Sequence, residues 1–148
     1  MENKINAQCK ATGSLVSHRP RIVKVKDNKK LKSFFDSKSL SIIKADCNSY
    51  LLSINKKLAS KLGLNEYVQV KLFPEANALF IAKELPFPTN CTYRLHDGST
   101  LILDDATIAE KIVQEFNLDL SDCKALVSRN ISYQPAGDGY MAIVFLNE

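Results

Sequence analysis

From Leu40 onward, apolar and polar positions change period at short, regular intervals, and each change marks an element. Leu40 to Ala45 and Tyr50 to Ile54 read as strands on either side of the turn cluster Asp46-Cys47-Asn48-Ser49. Leu58, Ala59 and Leu62 then share one face of a helix of about two turns. Asn55 can cap that helix, because its side-chain oxygen can accept from an unpaired N–H of the first turn. Gly63 can take the left-handed conformation at the helix end, and Leu64 can fold back onto it. A hairpin follows: Tyr67 to Phe73, the turn Pro74-Glu75-Ala76-Asn77, and Ala78 to Lys83. Val68, Val70 and Leu72 line one face of its first strand.

Leu85-Pro86-Phe87-Pro88 stops this pattern, since prolines so spaced fit neither a helix interior nor a central strand. Residues 85–90 therefore read as a linker, and beyond them the same order recurs. Cys91 to Leu95 and Thr100 to Leu103 flank the turn His96-Asp97-Gly98-Ser99. Asp104 or Asp105 can cap a second helix, and Thr107-x-x-Glu110 offers a capping box one register later. Ile108, Ile112, Val113 and Phe116 form its apolar stripe, and the helix is about one turn longer than the first. Asn117-Leu118 stands where Gly63-Leu64 stood. Lys124 to Gln134, the turn 135–139 and Tyr140 to Leu146 close the chain as a hairpin. The expected fold is α+β, with two ββαββ units over residues 40–84 and 91–148. Neither unit can bury both of its apolar faces alone, so the two should share one interior.

Ahead of Leu40 the pattern is weaker. Residues 1–17 are polar, although Leu15-Val16 can begin a strand. Arg21 to Lys26 alternates as a half-exposed strand does, Asp27-Asn28 offers a turn, and Lys29 to Phe35 reads as a short helix or as the end of an arm. Residues 1–39 are expected to form a basic N-terminal arm.

Charge sharpens that expectation. Residues 1–44 hold eleven Lys or Arg against Glu2, Asp27 and Asp36, a net of +8, while residues 45–148 hold nine against thirteen acidic residues, a net of −4. Arg19, Arg21, Lys24, Lys26, Lys29, Lys30 and Lys32 place seven positive charges within fourteen residues. Charges so placed can neutralise phosphates and release counterions, or they can simply solubilise the segment.

Catalytic and metal chemistry find little support. Cys9, Cys47, Cys91 and Cys123 lie more than thirty residues apart, with no C-x-x-C pair, and only His18 and His96 could assist as ligands. Asp104-Asp105 fits helix capping better than acid–base chemistry. His96 beside Asp97 has no nucleophile near it in sequence, and no glycine belongs to a phosphate-cradling loop. The chain is expected to be non-enzymatic and to need no cofactor. No run approaches the roughly 18 apolar residues of a membrane span, and the polar start is unlike a signal peptide. Cytoplasmic placement with no membrane contact is expected.

The run Leu51-Leu52-Ser53-Ile54-Asn55-Lys56-Lys57-Leu58-Ala59-Ser60-Lys61-Leu62-Gly63-Leu64, followed by Tyr67-Val68-Gln69-Val70, resembles the core of the AbrB/MraZ-type swapped-hairpin family. That family's pattern is a strand, Ile-Pro, basic residues, a leucine-spaced helix ending Leu-Gly-Leu, and an alternating strand. Ile54, Lys56, Lys57, Leu58, Leu62, Gly63, Leu64, Val68 and Val70 match it within residues 40–84. Asn55 stands where the family has proline. The family's arginines on and after the first strand are replaced by Lys44 and then Asp46. The resemblance implies two interlocked units closing one small barrel, from two chains as a homodimer or, here, within one chain as a pseudo-dimer. It also implies a DNA-binding transcription regulator, with Lys44, Lys56 and Lys57 extending the basic arm over the phosphate backbone. The pattern is similar, too, to uncharacterised proteins of phages and mobile elements in Gram-positive bacteria. The competing expectation is a protein-binding module of such an element that blocks a host nuclease or other host protein, its acidic body standing in for nucleic acid.

Overall fold

Ten strands and three helices follow one another in a computed structural model that describes residues 22–45, 49–88 and 91–146. In chain order they are β1 (Ile22–Val25), α1 (Asn28–Lys32), β2 (Leu40–Lys44), β3 (Tyr50–Ile54), α2 (Lys56–Leu62), β4 (Tyr67–Phe73) and a 3-10 turn (Pro74–Ala76). There follow β5 (Ala78–Ala82), β6 (Cys91–Asp97), β7 (Leu101–Leu103), α3 (Ala106–Glu115), β8 (Ala125–Ser128), β9 (Ile131–Ala136) and β10 (Gly139–Phe145). Leu15-Val16, Arg19, Arg21 and the Asp46-Cys47-Asn48 part of the first turn lie outside the described residues. The protein is α+β, and no helix among the described residues is long and apolar enough to cross a membrane.

All strands join one antiparallel sheet in the order β1-β8-β2-β3-β7-β6-β4-β5-β10-β9. At its centre β3 meets β7, with Ser53 opposite Ile102 and Ile54 opposite Leu101. The Ser53 hydroxyl donates to Thr100 Oγ1 at 2.6 Å in the buried layer beside this pair. On either side the halves exchange strands. The strand after α2, β4, pairs with β6 of the second half, and the strand after α3, β8, pairs with β2 of the first. Each half thus completes the other's sheet.

The sheet coils back on itself. β8 is second in the order and β9 is tenth, yet only Arg129 and Asn130 separate them along the chain. Such a link reaches about 10 Å, whereas eight strand intervals laid flat would need about 38 Å. At the seam, the Ser128 hydroxyl donates to Phe145 O at 2.7 Å, and Phe145 N donates to Asn130 O at 2.9 Å. No ladder joins β1 to β9 among the described residues, so the sheet is curled but open.

Three expectations need correction. The strand expected from Lys124 to Gln134 is two strands, because the Ser128 side chain takes up backbone groups and turns the chain. Its hairpin partner β10 pairs with β5 of the first half, so the second half does not close as a ββαββ unit. The half-exposed strand expected within Arg21 to Lys26 is β1, which is hydrogen-bonded to β8. In addition, His96 and Asp97 belong to β6, and the turn begins at Gly98.

Burial follows the alternation. Leu40, Ile42, Leu52, Ile54, Val68 and Ile81 turn one face of the coiled sheet inward against Leu58 and Leu62 of α2 and Ile108 and Ile112 of α3. Each such side chain contributes about 1.5–3 kcal/mol relative to an exposed one. Outside the coil, Leu31 of α1 and Phe34 after it cover Val25, Ala125 and Val127. Leu85, with Phe87 beside it, covers Ala82 and Met141, so the proline-rich segment is packed against β5 and β10. The helix ends are as the residues require. Gly63 (φ 70°) and Asn117 (φ 52°) are left-handed, and Leu64 N and Leu118 N return to Ala59 O and Val113 O. Asp105 caps α3, its carboxylate accepting from Thr107 N at 2.9 Å.

Asn55 ties three segments together. Its Oδ1 accepts from Lys57 N at 2.7 Å as the cap of α2, while its Nδ2 donates to the carbonyls of Phe34 and Phe35. Its backbone N–H donates to Ser39 O at 3.0 Å. The φ of −63° would suit the ring of the family's proline, but proline would remove all these donors. Replacing Asn55 by Ala is expected to lower stability by about 2–3 kcal/mol, a lost cap plus unsatisfied buried carbonyls. Replacement by Pro should cost at least as much, although proline stands at this place in the family that the segment resembles. Urea denaturation monitored by circular dichroism measures both, and a proline variant as stable as the parent would contradict this account.

Candidate nucleic-acid interface

The strand exchange that closes the core also builds a charged row. β8 lies between β1 and β2, with Ala125 opposite both Val25 and Ile43. One step further along the same register, Lys124 stands between Lys26 and Lys44. The alignment is held by Lys124 N donating to Val25 O at 2.7 Å and Lys44 N donating to Lys124 O at 2.8 Å. Strands are about 4.8 Å apart, so the row crosses three chain segments within about 10 Å. Like charges placed directly across strands destabilise a sheet, so the row carries an energetic cost with no apparent benefit to folding.

These three lysines line an open cleft with Ser121, Asp122 and Cys123. Lys24, two positions inward along β1, forms an exposed ion pair with Asp122 at 3.4 Å. Asp119 stands two residues before Ser121. The Ser121 hydroxyl and N–H, at 2.6 and 3.0 Å, hold its carboxyl below the usual carboxylate range, and Lys24 and Lys44 help from further off. Burial pushes the Cys123 thiol up and Asp122 adds to this, while Lys24 and Lys44 pull the other way. The cleft therefore holds a thiol rather than a thiolate nucleophile.

Next to the cleft, α1 follows β1 after two residues and presents Lys29, Lys30 and Lys32 to solvent while Leu31 faces the sheet. Asp27 starts this helix, accepting from Lys30 N at 2.7 Å, so it caps where only a turn was expected. Lys30 Nζ lies 5.5 Å from the centre of the Phe34 ring, and Lys32 stands at the rim of a groove floored by Phe35, Ile43 and Ile102.

The expected site residues thus divide. Lys24, Lys26, Lys29, Lys30, Lys32 and Lys44 gather around the exposed end of β1, α1 and β2. Lys56 and Lys57, on α2, are each matched by a carboxylate: Asp97 at 3.0 Å and Asp36 at 3.3 Å. Arg19 and Arg21 lie outside the described residues. Lys124 was not foreseen, and no local signal could reveal it. Its place depends on β8 inserting between strands that lie some eighty and one hundred residues earlier. Among the described residues, no carboxylate lies within ion-pair distance of Lys26, Lys44 or Lys124.

Elsewhere, His96 Nε2 lies 3.1 Å from Asp104, both well exposed, in a pairing that holds the end of β6 to the start of α3. Among the described residues, no three His, Cys, Asp or Glu side chains gather as metal ligands would. No family model, curated protein or solved structure matches this chain.

Proposed function

We propose that the protein is a non-enzymatic nucleic-acid-binding protein, and that the lysine-rich end of its sheet lies along the phosphate backbone of DNA. The observation that carries this reading is the row Lys26, Lys124 and Lys44. It is a set of like charges held in register across three chain segments and bordered by the three lysines of α1. Among the described residues no carboxylate lies within ion-pair distance of the row, so a polyanion offers it direct counter-charge, and binding would release the ions condensed on the phosphates. The exchange of β4 and β8 between halves supports a body of the swapped-hairpin type, barrel-like in outline, with the second half in the place of a second chain. That supports a monomeric pseudo-dimer and a regulatory role of the AbrB-like kind, acting in the cytoplasm.

A second reading is favoured by the carboxylates on α2's side of the molecule. Asp97 and Asp104 stay more than half exposed although they pair with Lys56 and His96. An acidic face of this kind fits a phage or mobile-element module that occupies the basic groove of a host nuclease.

Three outcomes are expected. Reversing Lys26, Lys29, Lys30 and Lys44 to Glu should abolish duplex binding in fluorescence anisotropy at low salt. Reversing Lys56 and Lys57 should change it little. The unreversed protein should lose at least tenfold in affinity between 50 and 200 mM salt, as multiple phosphate contacts require. Duplex affinity that survives the fourfold reversal would rule the assignment out, and capture of a nuclease by a protein without duplex affinity would favour the second reading. Separately, Lys124→Gln should weaken duplex binding yet raise stability at low ionic strength by about 0.5 kcal/mol, since it relieves the cross-strand repulsion. Urea titration at two salt concentrations measures this.

A further inference from the structure

Cation–ring contacts recur in two groups on the molecule. Lys30 and Arg129 flank the Phe34 ring at 5.5 and 5.1 Å; Lys38 and Lys61 approach Tyr133 at 6.0 and 5.4 Å; Lys61 lies 4.1 Å from the centre of Tyr140. A chain of this length would be expected to hold about two such contacts. Here there are five, in two groups that share no residue: Lys30 and Arg129 about Phe34, and Lys38 and Lys61 about Tyr133 and Tyr140. The second group forms a path from the loop before β2 to the last turn of α2 and the β9–β10 hairpin.

The members differ in burial. Phe34 is buried and serves as an anchor, Tyr133 is half-buried, and Tyr140 is 43% exposed, one of two large hydrophobic side chains so open among the described residues. Tyr140 lies across from Pro135 and lines a cavity with Gly63, Lys83, Glu84, Gly137 and Asp138. Packing needs neither its ring at the surface nor a lysine upon it. Alternating rings and cations are what a flexible polyanion with flat bases recognises: ammonium groups track the phosphates and rings stack the bases. A duplex keeps its bases inside and gains nothing from such rings.

We propose that this path binds a single strand of nucleic acid, with Tyr140 and Tyr133 as base-stacking platforms and Lys38 and Lys61 on the adjoining phosphates. The inference rests on the nucleic-acid reading above but names a different surface and a different form of the ligand. The row at Lys26, Lys44 and Lys124 would hold duplex, and the tyrosine path would hold an unpaired strand next to it.

The chain has no tryptophan and five tyrosines, so its intrinsic fluorescence reports on those rings directly. Titration of the full chain with a 15-nucleotide oligothymidylate at low salt is expected to quench tyrosine emission. Tyr140→Ala should weaken that binding on the order of tenfold and leave blunt duplex affinity unchanged. Tyr140→Phe should retain binding, because stacking needs the ring and not the hydroxyl. Lys61→Gln should weaken it less than Tyr140→Ala does. Equal oligothymidylate affinity in the parent and Tyr140→Ala would overturn the proposal, as would a parent that binds duplex but no single strand. A parent that binds neither would overturn the duplex assignment as well, whereas single-strand binding that survives the fourfold lysine reversal would leave only the tyrosine path standing.

Discussion

Insertion of β8 between β1 and β2 is the contact on which the rest of this structure depends. Without it, the inward faces of Leu40 and Ile42 have no neighbour on one side, and the outward Val25 has no floor beneath Phe34. Its counterpart, β4 on β6, does the same for the other half. A two-stranded hairpin with one short helix buries too little apolar surface to persist alone. Exchanging a strand in each direction lets two such pieces share one interior, with β3 and β7 meeting at the centre.

The same contact creates the charged row, so the site and the fold have one origin. Ladder bonds from Lys124 to Val25 and from Lys44 to Lys124 extend the pairing that buries Ala125 and Leu126. Three lysines are brought side by side because the apolar residues next to them have to be. Repulsion of this size, a fraction of a kcal/mol per pair, is small beside the burial that enforces it. Such a site can be sustained by the core and used by a ligand.

Local elements could be read from the residues because their signals are short-range. The cap at Asn55, the left-handed ends at Gly63 and Asn117, and the strand from Tyr67 to Phe73 each depend on neighbours within about five positions. The β9–β10 turn and the recurrence of strand, strand, helix and strand in the second half were legible for the same reason. What could not be read were decisions made by distant partners. The break after Ser128 depends on Phe145, the pairing of β1 depends on β8, and the third lysine of the row depends on β8 lying between β1 and β2. The basic character of residues 22–44 was visible at once, but the neutralisation of Lys56 and Lys57 required knowing that Asp97 and Asp36 come to α2.

The two-residue link at Arg129–Asn130 has a consequence for how the chain reaches this state. Because β1 waits for β8, about one hundred positions later, almost every inter-half ladder spans a long stretch of polypeptide. High sequence separation between partners slows folding. During synthesis the first half must leave the ribosome with its apolar strands bare until the last quarter of the chain arrives, a window in which unpaired edges invite association or chaperones. The lysines on β1 and α1 charge that waiting segment and so discourage its edge from adding to another molecule before its own partner is made.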